Sequence, residues 1–275
     1  MNIPLFLLTL YIYNMIQQLN KLFVLIAFTF ISIKGHSQEL SSKSFKSGEH
    51  LSYQASYNMS GVLTTFAEVN MKVATVKTSK NSYLHLKCTA NTYTKWDSFF
   101  KIRDLYEAYV TPHTVTPVLY KRDNNENGTI RKEKYIYKGT NVKATYVRGQ
   151  SGEIKADFSI PPNTKDIVST LYYIRNLPIA NAKSGDQKDF NIVFDRKTKS
   201  TTLTFLGTET ISTVLGQKKC YKIGISLKQG NLLKGKANNV VYITTDRNKV
   251  PVLIKFNIPV GNGQLKLTKA TNLKF

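Results

Sequence analysis

The feature of this sequence that most constrains its fold is the alternation of apolar and polar residues. In "FAEVNMKVATV", Ala67, Val69, Met71 and Val73 alternate with polar residues, and the same period recurs in "YLHLKC", "TLTFLG" and "LIKFNI". A period of two places successive side chains on opposite faces of a β-strand. Each of these strands therefore has one apolar face, which favours an antiparallel sheet with one side buried.

Turn-forming stretches separate the strands. "KGTN" follows "EKYIY", "NNENG" follows "VLYKRD" and "VGNGQ" follows "LIKFNIP", and such Gly- and Asn-containing stretches are typical hairpin connections. The region contains no internal repeat or low-complexity linker. We therefore predict a mostly β fold in a single domain, residues 38–275, with about 10–12 antiparallel strands forming a curved sheet or an incomplete barrel.

The stretch "DIVSTLYYIRNLPI", residues 166–179, repeats like a helix instead. Asp166 suits a helix N-terminus, and Pro178 helps to end the helix. We predict one short amphipathic helix over about residues 165–177, packed on the concave side of the sheet. A helical wheel places Ile167, Leu171 and Ile174 in one apolar stripe and Ser169, Tyr173 and Asn176 on the far side.

Arg175 lies at the margin of this stripe, between Leu171 and Val168 on the wheel. Its side chain therefore points toward the sheet or along the edge of the sheet. A buried guanidinium group needs a carboxylate or carbonyl partner. Asp166 lies about 180° away on the wheel and cannot be that partner. The facing group is either a protein carboxylate, such as Asp104, or a bound anion.

The first 37 residues are typical of a targeting segment. They contain two apolar runs, residues 3–16 and 22–33, each shorter than the ~20 residues that span a bilayer. Lys21 precedes the second run and small residues follow it, which predicts a secretory signal cleaved after Ser37, with Met15 as an alternative start. The competing interpretation is a membrane anchor formed by the two runs together. Contact with the membrane is expected through this segment or peripherally.

The formal net charge of +22 attracts polyanions such as anionic lipids, acidic polysaccharides and nucleic acids. An exported protein seldom meets nucleic acid, so nucleic acid is not expected as a partner. The basic residues are spread over strand faces and turns, which is also typical of a solvated surface that opposes aggregation. The expected partners are therefore a lipid, a glycan or another anionic component of the cell envelope.

Reactive motifs are scarce. Cys88 shares a strand face with Leu84 and Leu86, whereas Cys220 lies on the face opposite the apolar Tyr221. We therefore expect Cys88 to point inward and Cys220 to point outward. The two thiols are expected to stay unlinked. The four histidines have no metal-site spacing, and nucleophile-elbow, phosphate-loop and dinucleotide glycine patterns are absent. No catalytic residue, metal or cofactor is predicted.

The remaining candidates lie among the acidic and aromatic residues of "YTKWDSFFKIRDLYEAYV" and "YITTDRNKVP" and in the predicted helix. Two carboxylates across a sugar-sized gap could hydrolyse a glycoside, whereas ion pairs and turns are the structural alternative. Aromatic side chains could contact a ligand or serve as ordinary strand residues. The candidates for ligand binding or a structural polar role are Trp96, Arg103, Asp104, Tyr106, Glu107, Asp166, Arg175 and Asp246.

Five stretches in this order are similar to the domain of unknown function 3108 family: "GEHLSYQASYN", "KIRDLYEAYVTPHTVTPVLYKR", "DIVSTLYYIRNLPI", "GQKKCYKIGI" and "YITTDRNKVPVLIKF". The resemblance extends from about Ser47 to the end of the chain. It implies an exported, periplasmic or cell-surface, β-rich domain of a Gram-negative bacterium. It assigns no catalytic role to the matching polar residues, which are Glu49, Arg103, Asp104, Asp166, Ser169, Arg175 and Asp246.

Three functions are compatible with these features. The first is a non-enzymatic binding module for an amphiphile, a glycan or an envelope partner, because a concave sheet offers a pocket. The alternative is a carbohydrate-active enzyme that uses two of Asp104, Glu107, Asp166 and Asp246. An outer-membrane β-barrel, suggested by the meander and the terminal Phe275, is disfavoured by the short apolar runs and the inserted helix.

Overall fold

The computed structural model describes residues 42–59, 61–227, 239–258 and 261–275, which belong to one compact unit, Glu39–Phe275. The predicted signal segment, residues 1–37, lies outside the described residues. Helix α1 is Ile167–Arg175, and a 3₁₀ turn spans Thr94–Trp96. The strands are β1 (His50–Met59), β2 (Val62–Lys77), β3 (Ser82–Thr92), β4 (Ile102–Val110), β5 (Pro117–Glu126), β6 (Thr129–Lys138), β7 (Asn141–Arg148), β8 (Ile154–Lys155), β9 (Phe158–Ser159), β10 (Lys165–Asp166), β11 (Gln187–Phe194), β12 (Lys197–Thr213), β13 (Gly216–Leu227), β14 (Val240–Thr244), β15 (Pro251–Ile258) and β16 (Gly261–Thr271).

All sixteen of these strands join one sheet. The order runs from β10 through β16, then from β1 through β8, with β9 also on β7. The pairing of β1 with β16 brings the two ends of the meander together, and the short pair β10–β11 is parallel. The sheet is curved and open, so the predicted fold class is confirmed. The count exceeds the predicted 10–12 strands partly because β8, β9 and β10 have two residues each, too few for alternation to mark.

The predicted alternation determines which faces of the strands are buried. Along β2, Ala67, Val69, Met71 and Val73 are buried, whereas the polar residues between them are exposed or half-buried. Strand β14 differs, because all five of its residues are buried. The sheet therefore has one wet face over β2 and is covered on both faces at β14.

The expected orientation of the cysteines is wrong for Cys220. Cys220 is fully buried, and its neighbour Tyr221, which points to the other face of β13, is buried as well. The two side chains belong to separate apolar clusters, so β13 has no wet face at this position. Cys88 is half-buried, and both thiols are free.

Helix α1 begins at the predicted cap. Asp166 Oδ1 accepts hydrogen bonds from the backbone amides of Val168 (2.9 Å) and Ser169 (2.8 Å), and the Ser169 hydroxyl accepts one from the Asp166 amide at 3.0 Å. This reciprocal arrangement satisfies amides that have no partner within the helix. Among the described residues, no helix is long and apolar enough to cross a bilayer.

The buried face of α1 differs from the predicted stripe. Ile167 is exposed, and Ser169, expected on the far side, is fully buried. Ser169 is buried because its side chain completes the cap at the start of the helix. Val168 and Tyr172 pack in one apolar cluster and Ile174 in the other, so the helix joins the two clusters.

Arg175 is 0 % exposed, so of the two orientations that the wheel left open its side chain takes the one toward the sheet. Its Nη1 and Nη2 atoms donate to the two carboxylate oxygens of Glu49 at 2.5 and 2.7 Å. Nη2 also donates to the carbonyls of Ser44 (3.2 Å) and Asn248 (3.0 Å). Burial alone would lower the pKa of Arg175, but the charge and hydrogen bonds of Glu49 hold it above its ordinary value. The partner of Arg175 is thus a protein carboxylate, that of Glu49. The suggestion of Asp104 as that carboxylate was wrong.

Removing one member of the Glu49–Arg175 pair should destabilise the fold strongly, because the other charge would remain buried without a partner. We expect Glu49→Leu and Arg175→Met each to lower the free energy of unfolding by about 3–5 kcal/mol. The double variant should recover most of this loss, because an apolar pair can replace a buried ion pair at little cost. Urea unfolding followed by circular dichroism measures these differences.

The exposed pair of Arg148 and Asp195, joined at 2.7 Å, provides the control. Arg148→Met should cost no more than about 1 kcal/mol, because water screens an exposed pair. This account would be contradicted if the double variant of Glu49 and Arg175 lost as much free energy of unfolding as the sum of the losses in the two single variants.

Candidate functional site

Two of the predicted site residues fix the connection between β3 and β4. The Arg103 guanidinium donates to Asp97 at 2.5 Å and to the Thr92 hydroxyl at 2.9 Å. Trp96 donates its indole N–H to the Thr65 carbonyl on β2 at 3.0 Å. These bonds hold the connection against the neighbouring strands.

Asp104 and Tyr106 lie on the buried side of β4. One carboxylate oxygen of Asp104 accepts a hydrogen bond from the Asn124 amide at 3.1 Å, and that amide also donates to the Tyr106 hydroxyl. The other oxygen of Asp104 is buried without a hydrogen-bond partner. Burial, assisted by the charge of Glu126, raises the pKa of Asp104 to about 6.

Glu107 and Asp246 make local contacts elsewhere. Glu107 pairs with His85 at 2.8 Å, and the His85 ring stacks on Tyr109. Asp246 accepts hydrogen bonds from the amides of Asn248 and Lys249, at 3.0 and 3.2 Å, in the turn before β15. These contacts are those of an ion pair and a turn.

The four carboxylates weighed for glycoside hydrolysis are distributed over separate contacts. Asp104 bonds to Asn124, Glu107 to His85, Asp166 to the start of α1 and Asp246 to its own turn. Alternation also places Asp104 and Glu107 on opposite faces of β4. Glycoside hydrolysis needs two carboxylates facing one substrate, and these contacts do not join any two of the four.

A groove of about 780 Å³ lies beside α1 and is lined by none of the eight predicted site residues. It is bounded by the end of α1 with the segment that follows it, by β11 to β13, and by the turn between β4 and β5. Its volume is in the range of small-molecule pockets. The groove is therefore large enough for a ligand of moderate size.

The floor of the groove is apolar. Phe190, Leu203 and Ile223 are buried members of the smaller apolar cluster, and they line the groove together with side chains that pack against that cluster. The Tyr173 ring lies 5.5 Å from the ring of Phe190. Three more apolar side chains line the groove and pack against the same cluster: Leu177, Ile179 and Phe205.

The rim of the groove is polar, and two exposed lysines are matched there by two exposed aspartates. Lys43 and Lys188 are exposed at the rim, as are Asp186 and Asp189. Both aspartates are already engaged, because Asp186 accepts a hydrogen bond from the Lys183 amide and Asp189 one from the Thr202 hydroxyl. The exposed charges of the rim therefore balance, and the buried Lys165 in the wall adds one further cation.

Lys165 forms part of one wall and is almost fully buried. Its ammonium group donates to the carbonyls of Val115 (2.8 Å) and Thr114 (3.2 Å) and lies 5.0 Å from the ring centre of Tyr173. Burial lowers the pKa of Lys165 to about 8, although the charge of Asp166 opposes this effect. The lysine thus fastens the β4–β5 turn to the wall of the groove.

Sequence patterns did not reveal this groove, because its lining comes from several separated segments. The nearest signal is the pair Leu177 and Ile179 around Pro178, two apolar residues directly after the predicted helix. The predicted site residues make the contacts within the protein described above, and their part in ligand binding stays a prediction.

Comparison with known proteins supports the fold. A family model described as protein of unknown function (DUF3108) matches residues 52–268. No curated protein is detectably similar to the chain. The crystal structure of a beta-barrel-like protein of domain of unknown function DUF1849 from Brucella abortus is 7 % identical, with a TM-score of 0.52, and the match covers 81 % of this chain and 96 % of that one. This similarity establishes the fold alone.

A second solved structure comes from Bacteroides fragilis and is described as that of a protein thought to be exported, with a YmcC-like fold. It is 8 % identical to this chain, with a TM-score of 0.30, and the match covers 85 % of this chain and 99 % of that one.

The raised pKa of Asp104 predicts a pH dependence of stability. Its pKa is 3.8 ordinarily and about 6 in the fold, so between these values the folded protein holds a proton that the unfolded chain has released. Stability from this group is therefore greatest below about pH 4 and is lost as the pH rises through 6. Asp104→Asn keeps one acceptor oxygen but does not titrate.

We expect the free energy of unfolding of Asp104→Asn, relative to the natural protein, to rise between pH 4 and pH 7. Urea unfolding across that range measures the difference. The pKa of Asp166 is also raised to about 6 by burial, but this group is present in both proteins and cancels. If the difference in the free energy of unfolding between the two proteins stays constant with pH, the pKa of Asp104 is not raised in the fold.

Proposed function

This chain belongs to the DUF3108 family, and we propose that it is an exported, non-enzymatic binding protein whose groove beside α1 holds an amphiphile. The observation that carries the proposal is the combination of an apolar floor and a polar rim in one groove of about 780 Å³. Pockets of this kind bind small molecules through apolar contact and a few polar groups that fix orientation.

The floor favours an acyl chain over a glycan. Phe190, Leu203 and Ile223 at the floor are buried and carry no polar side-chain atoms. A sugar placed there would lose water from its hydroxyl groups without new hydrogen bonds from these side chains, which is costly. An acyl chain gains free energy from the same contact, at roughly 25 cal/mol per Å² of apolar area buried.

The surroundings of the groove favour an acidic head group. The exposed lysines and aspartates of the rim balance in number, but the Lys165 ammonium group in the wall adds a positive charge. The net charge of +22 adds a long-range attraction for anions. We therefore expect fatty acids and lysophospholipids with anionic heads to bind better than neutral amphiphiles of the same chain length.

Two further features support the assignment. The separate contacts of Asp104, Glu107, Asp166 and Asp246 give a carboxylate-pair mechanism no support. Export rests on the apolar run with Lys21 before it and the predicted cleavage after Ser37. The ligand would then come from the cell envelope, where acyl chains are abundant.

Ile179→Asp should weaken amphiphile binding, because it places a charge against the apolar part of the groove. We expect the dissociation constants of palmitate and lysophosphatidylglycerol to rise at least about tenfold. Displacement of bound anilinonaphthalene sulfonate measures both ligands at submicellar concentrations. Ile179 is half-buried, so the variant should still fold, and circular dichroism checks this.

Ile136→Asp is the matched control, because Ile136 is partly exposed on β6 and does not line the groove. Its affinities should equal those of the natural protein. Equal binding by the Ile179 and Ile136 variants would refute the groove as the amphiphile site. Displacement by envelope polysaccharides but not by either amphiphile would instead favour the glycan-binding alternative.

A further inference from the structure

The end of the sheet that carries the β3–β4 connection exposes four apolar side chains. Phe99 is 77 % exposed and Val62 66 %, and about half of each of the other two side chains is exposed to solvent. We call this group the apolar tip; its members are Val62, Leu63, Phe99 and Phe100.

The members of the apolar tip lie on two neighbouring segments that the fold holds together. Val62 and Leu63 begin β2, and Phe99 and Phe100 follow the 3₁₀ turn. The Trp96 indole donates to the Thr65 carbonyl at 3.0 Å, and the Tyr93 amide to the Phe66 carbonyl at 2.9 Å. These bonds hold the connection beside β2, so Phe99 and Phe100 are presented by ordered backbone next to the first residues of β2. Val62 and Leu63 are consecutive there and point to opposite faces of the strand.

The charges around the apolar tip are positive. Lys95 and Lys101 are exposed on either side of the two phenylalanines. The acid of this segment, Asp97, is paired with Arg103 at 2.5 Å. The hydrogen bond from Thr92, followed by that from Arg103, lowers the pKa of Asp97. The segment thus combines exposed aromatic side chains with two lysines that have no salt bridge among the described residues.

We infer that the apolar tip docks on the surface of a phospholipid bilayer that contains anionic lipids. Aromatic and aliphatic side chains at a membrane interface bury apolar area among the acyl chains, and adjacent lysines are attracted to anionic head groups. A second copy of this chain is disfavoured as the occupant, because each copy carries a net charge of +22 and the two would repel. This surface is separate from the groove and does not depend on the function proposed for it.

The chain contains a built-in reporter for this docking. Trp96 is the single tryptophan of the sequence, and its ring lies 5.8 Å from the ring of Phe99. Quenching of its fluorescence by brominated phosphatidylcholine reports insertion of the apolar tip itself. The full chain can therefore be used, since binding through the apolar N-terminal runs would not by itself quench Trp96.

The test compares vesicles of brominated phosphatidylcholine with and without phosphatidylglycerol. We expect quenching on the vesicles that contain phosphatidylglycerol, and at least about a tenfold weaker apparent affinity for Phe99→Ser/Phe100→Ser. Val214→Ser is the matched control, because Val214 is 54 % exposed in the β12–β13 turn at the other end of the sheet. It should bind like the natural protein.

Three results would overturn the inference. The first is the absence of quenching on vesicles that retain the protein. The second is equal quenching of the natural protein and the Phe99/Phe100 variant with complete loss at high salt, which would indicate adsorption by charge alone. The third is concentration-dependent dimerisation that the same variant abolishes, because the apolar tip would then bind a second copy.

Discussion

The buried pair of Arg175 and Glu49 determines how the helix sits in the sheet. Arg175 ends α1, while Glu49 and the Ser44 carbonyl come from the segment before β1, and the Asn248 carbonyl from the turn before β15. One guanidinium group therefore ties three distant parts of the chain together. The Ser44 hydroxyl donates in return to the Arg175 carbonyl at 2.8 Å, so backbone and side chain at this end of the helix are both fixed.

The position of the groove follows from this arrangement. The Asp166 cap fixes the first turn of α1 and the Arg175 pair fixes the last, so the segment after the helix leaves from a defined place. That segment supplies Leu177 and Ile179 to the groove. A buried ion pair is weak evidence for added stability, because desolvation offsets most of the attraction. Its effect here is better described as specifying one location for the helix, and with it one wall of the groove.

Local patterns could predict the parts of this structure that depend on neighbours in sequence. Alternation at residues 67–73 indicated the correct buried face of β2, and the wheel narrowed Arg175 to two orientations, of which the buried one is found. Glu49 could not be identified, because it lies 126 residues from Arg175 and nothing local distinguishes it from Asp104. The predicted outward orientation of Cys220 was wrong for a related reason. A strand pattern shows which residues share a face, but it does not show whether another layer covers the opposite face. The groove could not be predicted for both reasons, because its lining comes from several separated segments and its position depends on which faces of the sheet are covered.

The groove and the apolar tip lie toward opposite ends of β4. The connection that carries Phe99 precedes Ile102, whereas the turn at residues 113–116 that borders the groove follows Val110. Nine strand residues extend about 30 Å, so a bilayer that meets the protein at the apolar tip alone leaves the border of the groove at 113–116 uncovered. The two proposals together therefore imply a protein held at a membrane by one end, with the other end open to the aqueous compartment. A ligand in the groove would then exchange through water or with a second protein, and not directly with the bilayer that holds the apolar tip.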